Sequence, residues 1–174
     1  MSIMDAMEDR LLTICTTSLK FDSIEEYGTV INRLTEHLRE NRGNHAAWNN
    51  RGVAHREIGR NEKALSDFGL AIEQKPDEPI VYKNRAMLLE SLDRREEAIA
   101  DYSKAIELTP RDPYLYRSRA HLHWAFGRKT EALADFSQAV ELQPDFKQQY
   151  KDRAKLYDEL GYRLKAEMDR TKAR

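Results

Sequence analysis

The sequence has one cysteine, Cys15, five prolines and seven glycines among its 174 residues. A single cysteine excludes an intramolecular disulfide and suits a reducing compartment, so we expect a cytoplasmic protein. The scarcity of glycine and proline, with abundant Ala, Leu, Glu, Lys and Arg, disfavours strands joined by tight turns. We therefore predict an all-α protein, and the length suits one folded unit.

An excess of charge of one sign and a long apolar run are also missing. The 29 basic and 30 acidic residues leave a formal charge of -1 and a pI near 6.5, so no overall positive field attracts nucleic acid or an anionic membrane. No stretch approaches the roughly 18 apolar residues of a membrane span. Asp5, Glu8 and Asp9 precede any apolar run, the reverse of a secretory signal. We predict no membrane or nucleic-acid partner.

Motifs that carry chemistry are absent from the sequence. It has no glycine-rich phosphate loop, no nucleophile elbow and no zinc-type Cys/His cluster. His121 and His123 are two residues apart on a predicted helix and point apart, whereas helical metal ligands favour spacings of three or four. Cys15 lies on an apolar helix face, which favours a core role, although a histidine could approach it in space. We predict a protein that is not an enzyme and has no metal and no cofactor.

The prolines show an internal repeat. All five lie on one lattice with a period of 34 residues, which divides the chain into units at 45–78, 79–112, 113–146 and a shortened 147–174. The last unit is polar, as a solubilising C-terminal cap requires. The lattice prolines are Pro76, Pro110 and Pro144 in one series and Pro79 and Pro113 in the other.

Other residue types repeat on the same lattice. Small residues stand where two helices would approach closely, and aromatic residues fill the space between them. The apolar periodicity breaks once inside each unit, at Gly59, Asp93, Gly127 or Gly161, which predicts a helix, a short turn and a second helix. The aligned residues are Trp48, Tyr82, Tyr116 and Tyr150; Gly52, Ala86, Ala120 and Ala154; Ala64, Ala98, Ala132 and Ala166; Phe68, Tyr102 and Phe136; and Ala71, Ala105, Ala139 and Ala173.

This pattern resembles the tetratricopeptide repeat family over residues 45–174. The resemblance implies a right-handed α-α solenoid of helix-turn-helix repeats, preceded here by an extra N-terminal helical pair, and a role in protein–protein interaction. Each unit departs from the family at its seventh position, where arginine replaces the usual leucine, and each has an aspartate sixteen residues later. We predict structural ion pairs that join the two helices of each unit, Arg51–Asp67, Arg85–Asp101, Arg119–Asp135 and Arg153–Asp169.

Residues 1–44 lack the small-residue signature of the repeat. Apolar spacing predicts one amphipathic helix over 3–20, with Met4, Met7, Leu11, Ile14 and Cys15 on its apolar face. A second helix is expected after Ser23, which forms a capping box with Glu26, and Gly43 suits its C-terminal stop. The pair could cover the first repeat as a cap or degenerate repeat, mediate self-association, or fold into the groove as a lid.

The resemblance places a partner-binding groove on the concave side of the first helices. Asparagines and cations there can bind a peptide backbone and an acidic side chain or terminal carboxylate, although ordinary solvated helix residues would look the same. Acidic residues at Glu57, Glu90, Asp158 and Glu159 divide the groove into zones. The predicted groove residues are Asn49, Asn50, Lys83, Asn84, Tyr114, Arg117, Ser118, His121, Trp124, Lys151 and Lys155, with Asp152 among them.

A subset of the family clamps chaperone C-terminal carboxylates. Asn84 fits that pattern, but Val53, Tyr114 and Ser118 do not, which disfavours it. We predict an adaptor or scaffold, a monomer or weak homo-oligomer, that binds a partner protein or an acidic or C-terminal peptide. The alternative is a self-assembling structural protein that uses the N-terminal helices or terminal repeats. An RNA-binding solenoid is disfavoured by the near-neutral charge.

Overall fold

A computed structural model describes residues 11–21 and 23–174. In these ranges the chain has helices and no strand, so the all-α prediction is confirmed. None of these helices is both long and apolar enough to cross a bilayer. Residues 11–13 are helical, and the longer helices are α1 Ile24–Glu40, α2 His45–Glu57, α3 Asn61–Gln74, α4 Pro79–Ser91, α5 Arg95–Leu108, α6 Pro113–Ala125, α7 Lys129–Leu142, α8 Lys147–Glu159 and α9 Arg163–Lys172.

Helix α1 begins as predicted and ends earlier than predicted. Ser23 Oγ accepts a hydrogen bond from the Glu26 amide at 3.3 Å, and Glu26 Oε2 accepts one from the Ser23 amide at 3.1 Å, so the capping box is confirmed. At the other end the Asn41 amide donates to the carbonyl of His37, and Asn41 is the C-cap. The helix therefore stops before Gly43, which is not its terminating residue.

The turn inside each repeat uses left-handed backbone. Gly59, Gly127 and Gly161 have φ angles of 73°, 70° and 80°, and Asp93 in the second repeat has a φ of 59°. A left-handed conformation costs a residue with a Cβ about 1–2 kcal/mol, and aspartate is among the residues that adopt it most readily. The mid-unit breaks in the sequence therefore coincide with tight helix–helix turns.

The predicted N-terminal helix over 3–20 is wrong for its second half. The helical conformation ends at Thr13, and residues 14–21 are irregular. Ile14 is 54% exposed and Cys15 8% exposed, so the two residues do not share a buried helix face. Met4 and Met7 lie outside the described residues. The hydrogen bonds that replace helical ones in this segment are described with the candidate site.

The chain forms two compact units, residues 1–94 and 95–174, where its length suggested one. In the first unit α1 packs on α2, α2 on α3, and α3 on α4; in the second, α5 packs on α6, α6 on α7, α7 on α8, and α8 on α9. Within each unit these helices pack on their neighbours in the chain, as in a repeat protein. The boundary falls between α4 and α5.

The repeated small and aromatic residues pack against each other. In the first unit the Phe68 ring lies so close to Gly52 that a Cβ on this glycine would be 2.8 Å from it. In the second unit Ala120 and Phe136 are fully buried in one cluster with Leu156. The small residue of the first helix therefore lets the aromatic of the second helix reach the interface.

Arginine and aspartate of the same repeat form bidentate ion pairs. Arg51 donates from Nε to Asp67 Oδ2 at 2.8 Å and from Nη2 to Oδ1 at 2.7 Å. Its side chain is 16% exposed and that of Asp67 is 4% exposed, so the pair is largely removed from water. The same two-bond geometry joins Arg119 to Asp135 and Arg153 to Asp169.

A third partner extends each of these pairs to a further helix. Arg51 Nη1 donates to Thr35 Oγ1 on α1 at 3.1 Å, so α1 takes the place that the second helix of a preceding repeat would occupy. This hydroxyl lies sixteen residues before the arginine, a spacing that the sequence analysis missed. Arg85 and Asp101 belong to different compact units, and their pairing stays a prediction. The corresponding hydroxyls are Ser103 for Arg119 and Ser137 for Arg153.

Candidate functional site

Residues 11–21, the N-terminal strap, lie on a face of α2 and α4 and are held there by asparagine side chains. Asn50 Oδ1 accepts a hydrogen bond from the Thr16 amide at 2.9 Å. Its Nδ2 donates to the carbonyls of Leu11 at 2.6 Å and Ile14 at 2.8 Å. One carboxamide therefore binds three main-chain groups at the point where the helical residues 11–13 give way to irregular structure, which offsets the loss of helical hydrogen bonds there.

Two more asparagines converge on one further carbonyl of the strap, that of Thr16. The Thr16 carbonyl accepts from Asn49 Nδ2 at 3.0 Å and from Asn84 Nδ2 at 2.8 Å. Asn84 Nδ2 also donates to Asn49 Oδ1 at 2.8 Å, and Asn49 Nδ2 to Asn50 Oδ1 at 2.8 Å. All three asparagines are 0% exposed. We call the surface formed by Asn49, Asn50 and Asn84 the asparagine face.

Both sides of the strap have further anchors. Asn44 Nδ2 donates to the Leu12 carbonyl at 2.9 Å, and Arg56 Nη2 donates to the Thr17 carbonyl at 2.9 Å. Near its end, Tyr27 donates its hydroxyl to the carbonyl of Leu19 at 2.9 Å. The side chains of Leu11, Cys15 and Leu19 are buried in the core of the first unit.

In the first unit, three of the predicted groove residues bind the strap. Asn49, Asn50 and Asn84 do not face solvent; their carboxamides are bonded to the chain's own backbone. Lys83 precedes Asn84 on α4 and is partly buried. The sequence left three roles open for the N-terminal region: a cap, a self-association element or a lid in the groove. Residues 11–21 lie on the face of α2 and α4 that was predicted to bind a partner. The individual contacts could not be read from the sequence, because the asparagines bind main-chain groups, which no residue type marks.

The equivalent residues of the second unit form a separate surface, on α6 and α8. The guanidinium of Arg117 lies 4.5 Å from the ring centre of Phe146 and 5.6 Å from that of Tyr114. Lys151 and Lys155 are exposed, one helical turn apart on α8. We call the surface of Tyr114, Arg117, Ser118, His121, Trp124, Lys151 and Lys155 the cationic face.

His121 and Trp124 on α6 pack against the buried ring of Phe136. The ring centre of His121 lies 5.0 Å from that of Phe136, and that of Trp124 lies 6.1 Å from it, both edge to face. His121 Nε2 is 3.5 Å from Asp152 Oδ2, and Asp152 also accepts from Gln148 at 2.9 Å. The carboxylate that the sequence placed among the groove cations is therefore buried and bonded to its neighbours.

Acidic residues at the end of α8 are engaged by cations of the same unit. Lys129 Nζ lies 2.9 Å from Glu159 Oε2, and Trp124 Nε1 donates to this oxygen at 3.1 Å. The hydrogen bond from Lys129, followed by that from Trp124, lowers the pKa of Glu159. Asp158 is paired with Arg170. Among the described residues Lys151 and Lys155 have no such acidic partner, so this face retains positive charge.

The histidines of α6 lie in different surroundings, as their spacing predicted. The His121 side chain is 42% exposed, whereas that of His123 is 13% exposed and lies 4.0 Å from the Asp135 carboxylate. His55 has the same relation to Asp67 in the first repeat, also at 4.0 Å.

Comparison with known structures supports the repeat assignment. A crystal structure of MamA superposes with a TM-score of 0.78 at 17% identity, covering 89% of this chain and 94% of that chain. MamA 41-end from Desulfovibrio magneticus RS-1 gives 0.74 at 14% identity, covering 89% and 95%. YrrB, described as a TPR protein with an unusual peptide-binding site, gives 0.74 at 18% identity, covering 86% and 77%. At these identities the likeness shows the fold alone.

Family models match most of the repeat region. A tetratricopeptide repeat model matches residues 31–79, a TPR repeat model matches residues 91–127, and a second tetratricopeptide repeat model matches residues 115–146. None of the curated proteins compared with the sequence matches it. The helix pairs, their small and aromatic contacts and these matches agree, and the chain belongs to the tetratricopeptide repeat family.

Proposed function

We propose that this protein is a non-catalytic adaptor that binds an extended segment of a partner protein on the first helices of its repeats. The observation that supports the proposal is the strap itself. Carboxamides on α2 and α4 already bind an irregular backbone through its carbonyls and one amide, at 2.6–3.0 Å. Such contacts recognise a peptide main chain irrespective of its sequence.

The cationic face is the surface on which we expect a partner segment to bind. Arg117, Lys151 and Lys155 supply positive charge, and Tyr114 and Trp124 supply aromatic area beside it. Arginine and lysine favour carboxylates, so the preferred segment is acidic or ends in a free carboxylate. YrrB, a structural neighbour, is described as having a peptide-binding site, which is compatible with this use of the fold.

Binding in the first unit would require the strap to leave. A partner segment that competes for the asparagine face must replace its hydrogen bonds and the buried contacts of Leu11, Cys15 and Leu19. The cationic face carries no such covering segment among the described residues. We therefore assign partner binding to the second unit, in a monomer or weak homo-oligomer. The free, buried Cys15 suits the cytoplasm as its compartment.

Selection of peptides from a random displayed library tests the proposal. Wild-type protein should enrich extended peptides rich in Asp and Glu, or ending in a carboxylate, and a synthetic peptide from the selection should bind in fluorescence anisotropy. The double reversal Lys151→Glu and Lys155→Glu should abolish this binding. Arg163→Glu with Lys165→Glu on α9 is the matched control, because it makes the same change of net charge on a second helix.

Either of two results would contradict this assignment. Equal peptide affinity in both double variants would remove the cationic face from the site, and selection of neutral sequences would remove the acidic preference. Light scattering of the wild type over a range of concentrations tests the alternative of self-assembly. Growth of a large assembly that requires no peptide would favour a structural protein over an adaptor.

A further inference from the structure

Three side chains of types that bind metals, from distant parts of the sequence, meet beside the middle of the strap. Cys15 belongs to the strap, His45 is the first residue of α2, and Glu78 is the N-cap of α4. Their ligand atoms lie within 4.8 Å of one another. His45 Nε2 and Glu78 Oε2 are 3.8 Å apart. In the described part of the chain this is the one cluster of its kind.

We propose that Cys15, His45 and Glu78 bind a zinc ion. Thiolate, imidazole and carboxylate are the protein ligands of zinc, and the thiolate disfavours magnesium and calcium. Bond lengths of about 2.0–2.3 Å place tetrahedral zinc ligands roughly 3.3–3.8 Å apart, so modest side-chain rotation suffices to close the cluster. With three protein ligands, the fourth position is left for water.

A cation already balances part of this cluster. Lys75 Nζ donates to Glu78 Oε2 at 3.0 Å, and its side chain is 41% exposed. Zinc would displace this ammonium group from Glu78, and Lys75 can turn towards solvent when it does. Burial, and then the charge of Glu78, raise the pKa of the Cys15 thiol to about 12. The metal would therefore release a proton from Cys15 as the thiolate bond forms.

Zinc at this position would fasten the strap to both helices that carry the asparagine face. A ligand that binds only when the strap is in place stabilises that state. The gain in free energy rises with the logarithm of the ratio of ligand concentration to Kd. Metal-loaded protein would then keep Asn49, Asn50 and Asn84 covered, and metal-free protein would release the strap more readily. This consequence for partner access rests on the proposed function, whereas metal binding itself does not.

Titration of the full chain with Co²⁺, which reports on thiolate ligation through its visible and near-ultraviolet absorption, tests the site. The wild type should show a saturable thiolate-to-cobalt charge-transfer band that zinc removes by competition. Cys15→Ser should lose the band. His45→Gln and Glu78→Gln should weaken binding by more than the roughly 10–100-fold that loss of an outer-shell partner costs. Circular dichroism checks that each variant keeps its helices.

Two variants make the test specific. Lys75→Met removes the competing ammonium group and should strengthen cobalt binding, whereas Asp77→Asn removes a neighbouring carboxylate outside the cluster and should leave the band in place. Absence of a saturable band in the wild type, or a band that survives Cys15→Ser, would overturn the site. Because no peptide enters this titration, its failure would leave the proposed function standing.

Discussion

Asn84 donates a hydrogen bond from Nδ2 to the carbonyl of Thr16 at 2.8 Å and so joins residues 68 positions apart in the sequence. Both residues lie in the first compact unit, one on α4 and the other in the strap. The same amide reaches Asn49, so the strap, α2 and α4 share one hydrogen-bonded system. This contact explains why an asparagine in a position suited to a partner is completely buried.

Removal of a strap anchor should expose the buried thiol. Asn50→Ala leaves the Thr16 amide and the carbonyls of Leu11 and Ile14 without their partner, at a cost of about 1–3 kcal/mol for buried polar groups. We expect faster modification of Cys15 by a thiol reagent in metal-free protein. Asn41→Ala, which removes an exposed carboxamide, is the control. An unchanged modification rate in Asn50→Ala would mean that the asparagine face does not hold the strap.

Removal of only one partner of a bidentate ion pair should strongly lower the free energy of unfolding. Arg119→Leu leaves the 8% exposed Asp135 carboxylate without its guanidinium, and loss of one member of a buried pair costs about 3–5 kcal/mol. The double variant Arg119→Leu with Asp135→Leu should recover much of that loss. Urea denaturation followed by circular dichroism measures the difference. Equal destabilisation in the single and double variants would show that charge pairing is not the cause.

Acid should destabilise the fold through two packed histidines. Burial is the main cause that lowers the pKa of His55 and of His123 from 6.5. A lowered pKa means that each folded imidazole holds its proton less tightly than it does in the unfolded chain. The stability that each neutral imidazole contributes to the fold is complete above the unfolded pKa of about 6.5. It is lost as pH falls through the lower folded pKa.

Urea midpoints measured between neutral and mildly acidic pH check this dependence. The midpoint should fall with pH in the wild type, and the fall should shrink in the double variant His55→Gln with His123→Gln. Burial also lowers the pKa of His45, so a residual slope should remain. An identical slope in wild type and double variant would show that His55 and His123 are not the groups responsible.

The same substitution should have opposite effects at two glycines. Gly52→Ala places a Cβ 2.8 Å from the Phe68 ring, and overpacking of this kind costs about 1–3 kcal/mol. Gly28→Ala on α1 meets no atom within 4 Å and should stabilise the helix by roughly 0.5–1 kcal/mol. Thermal unfolding compares the two variants directly. A neutral Gly52→Ala would mean that the Phe68 ring has room to move.

The repeat and its helices can be predicted from the sequence. A period of 34 residues, with small and aromatic residues at matching positions, requires only contacts between neighbours in the chain, so residue type carries the signal. The ion pair between Arg51 and Asp67 can be predicted for the same reason. Both residue types recur with the 34-residue period, and a charge in a packed interface needs a partner. Thr35 lay on that lattice too, but a hydroxyl marks no specific partner.

The position of the N-terminal strap depends on contacts between residues far apart in the sequence. Its apolar spacing over 3–20 predicted a helix, yet the described segment is irregular after Thr13 because Asn49, Asn50 and Asn84 bind its main-chain carbonyls. Carbonyl groups occur in every residue and leave no pattern in a sequence. For the same physical reason, the meeting of Cys15 with His45 and Glu78 depends on long-range chain reversal, which local periodicity does not encode.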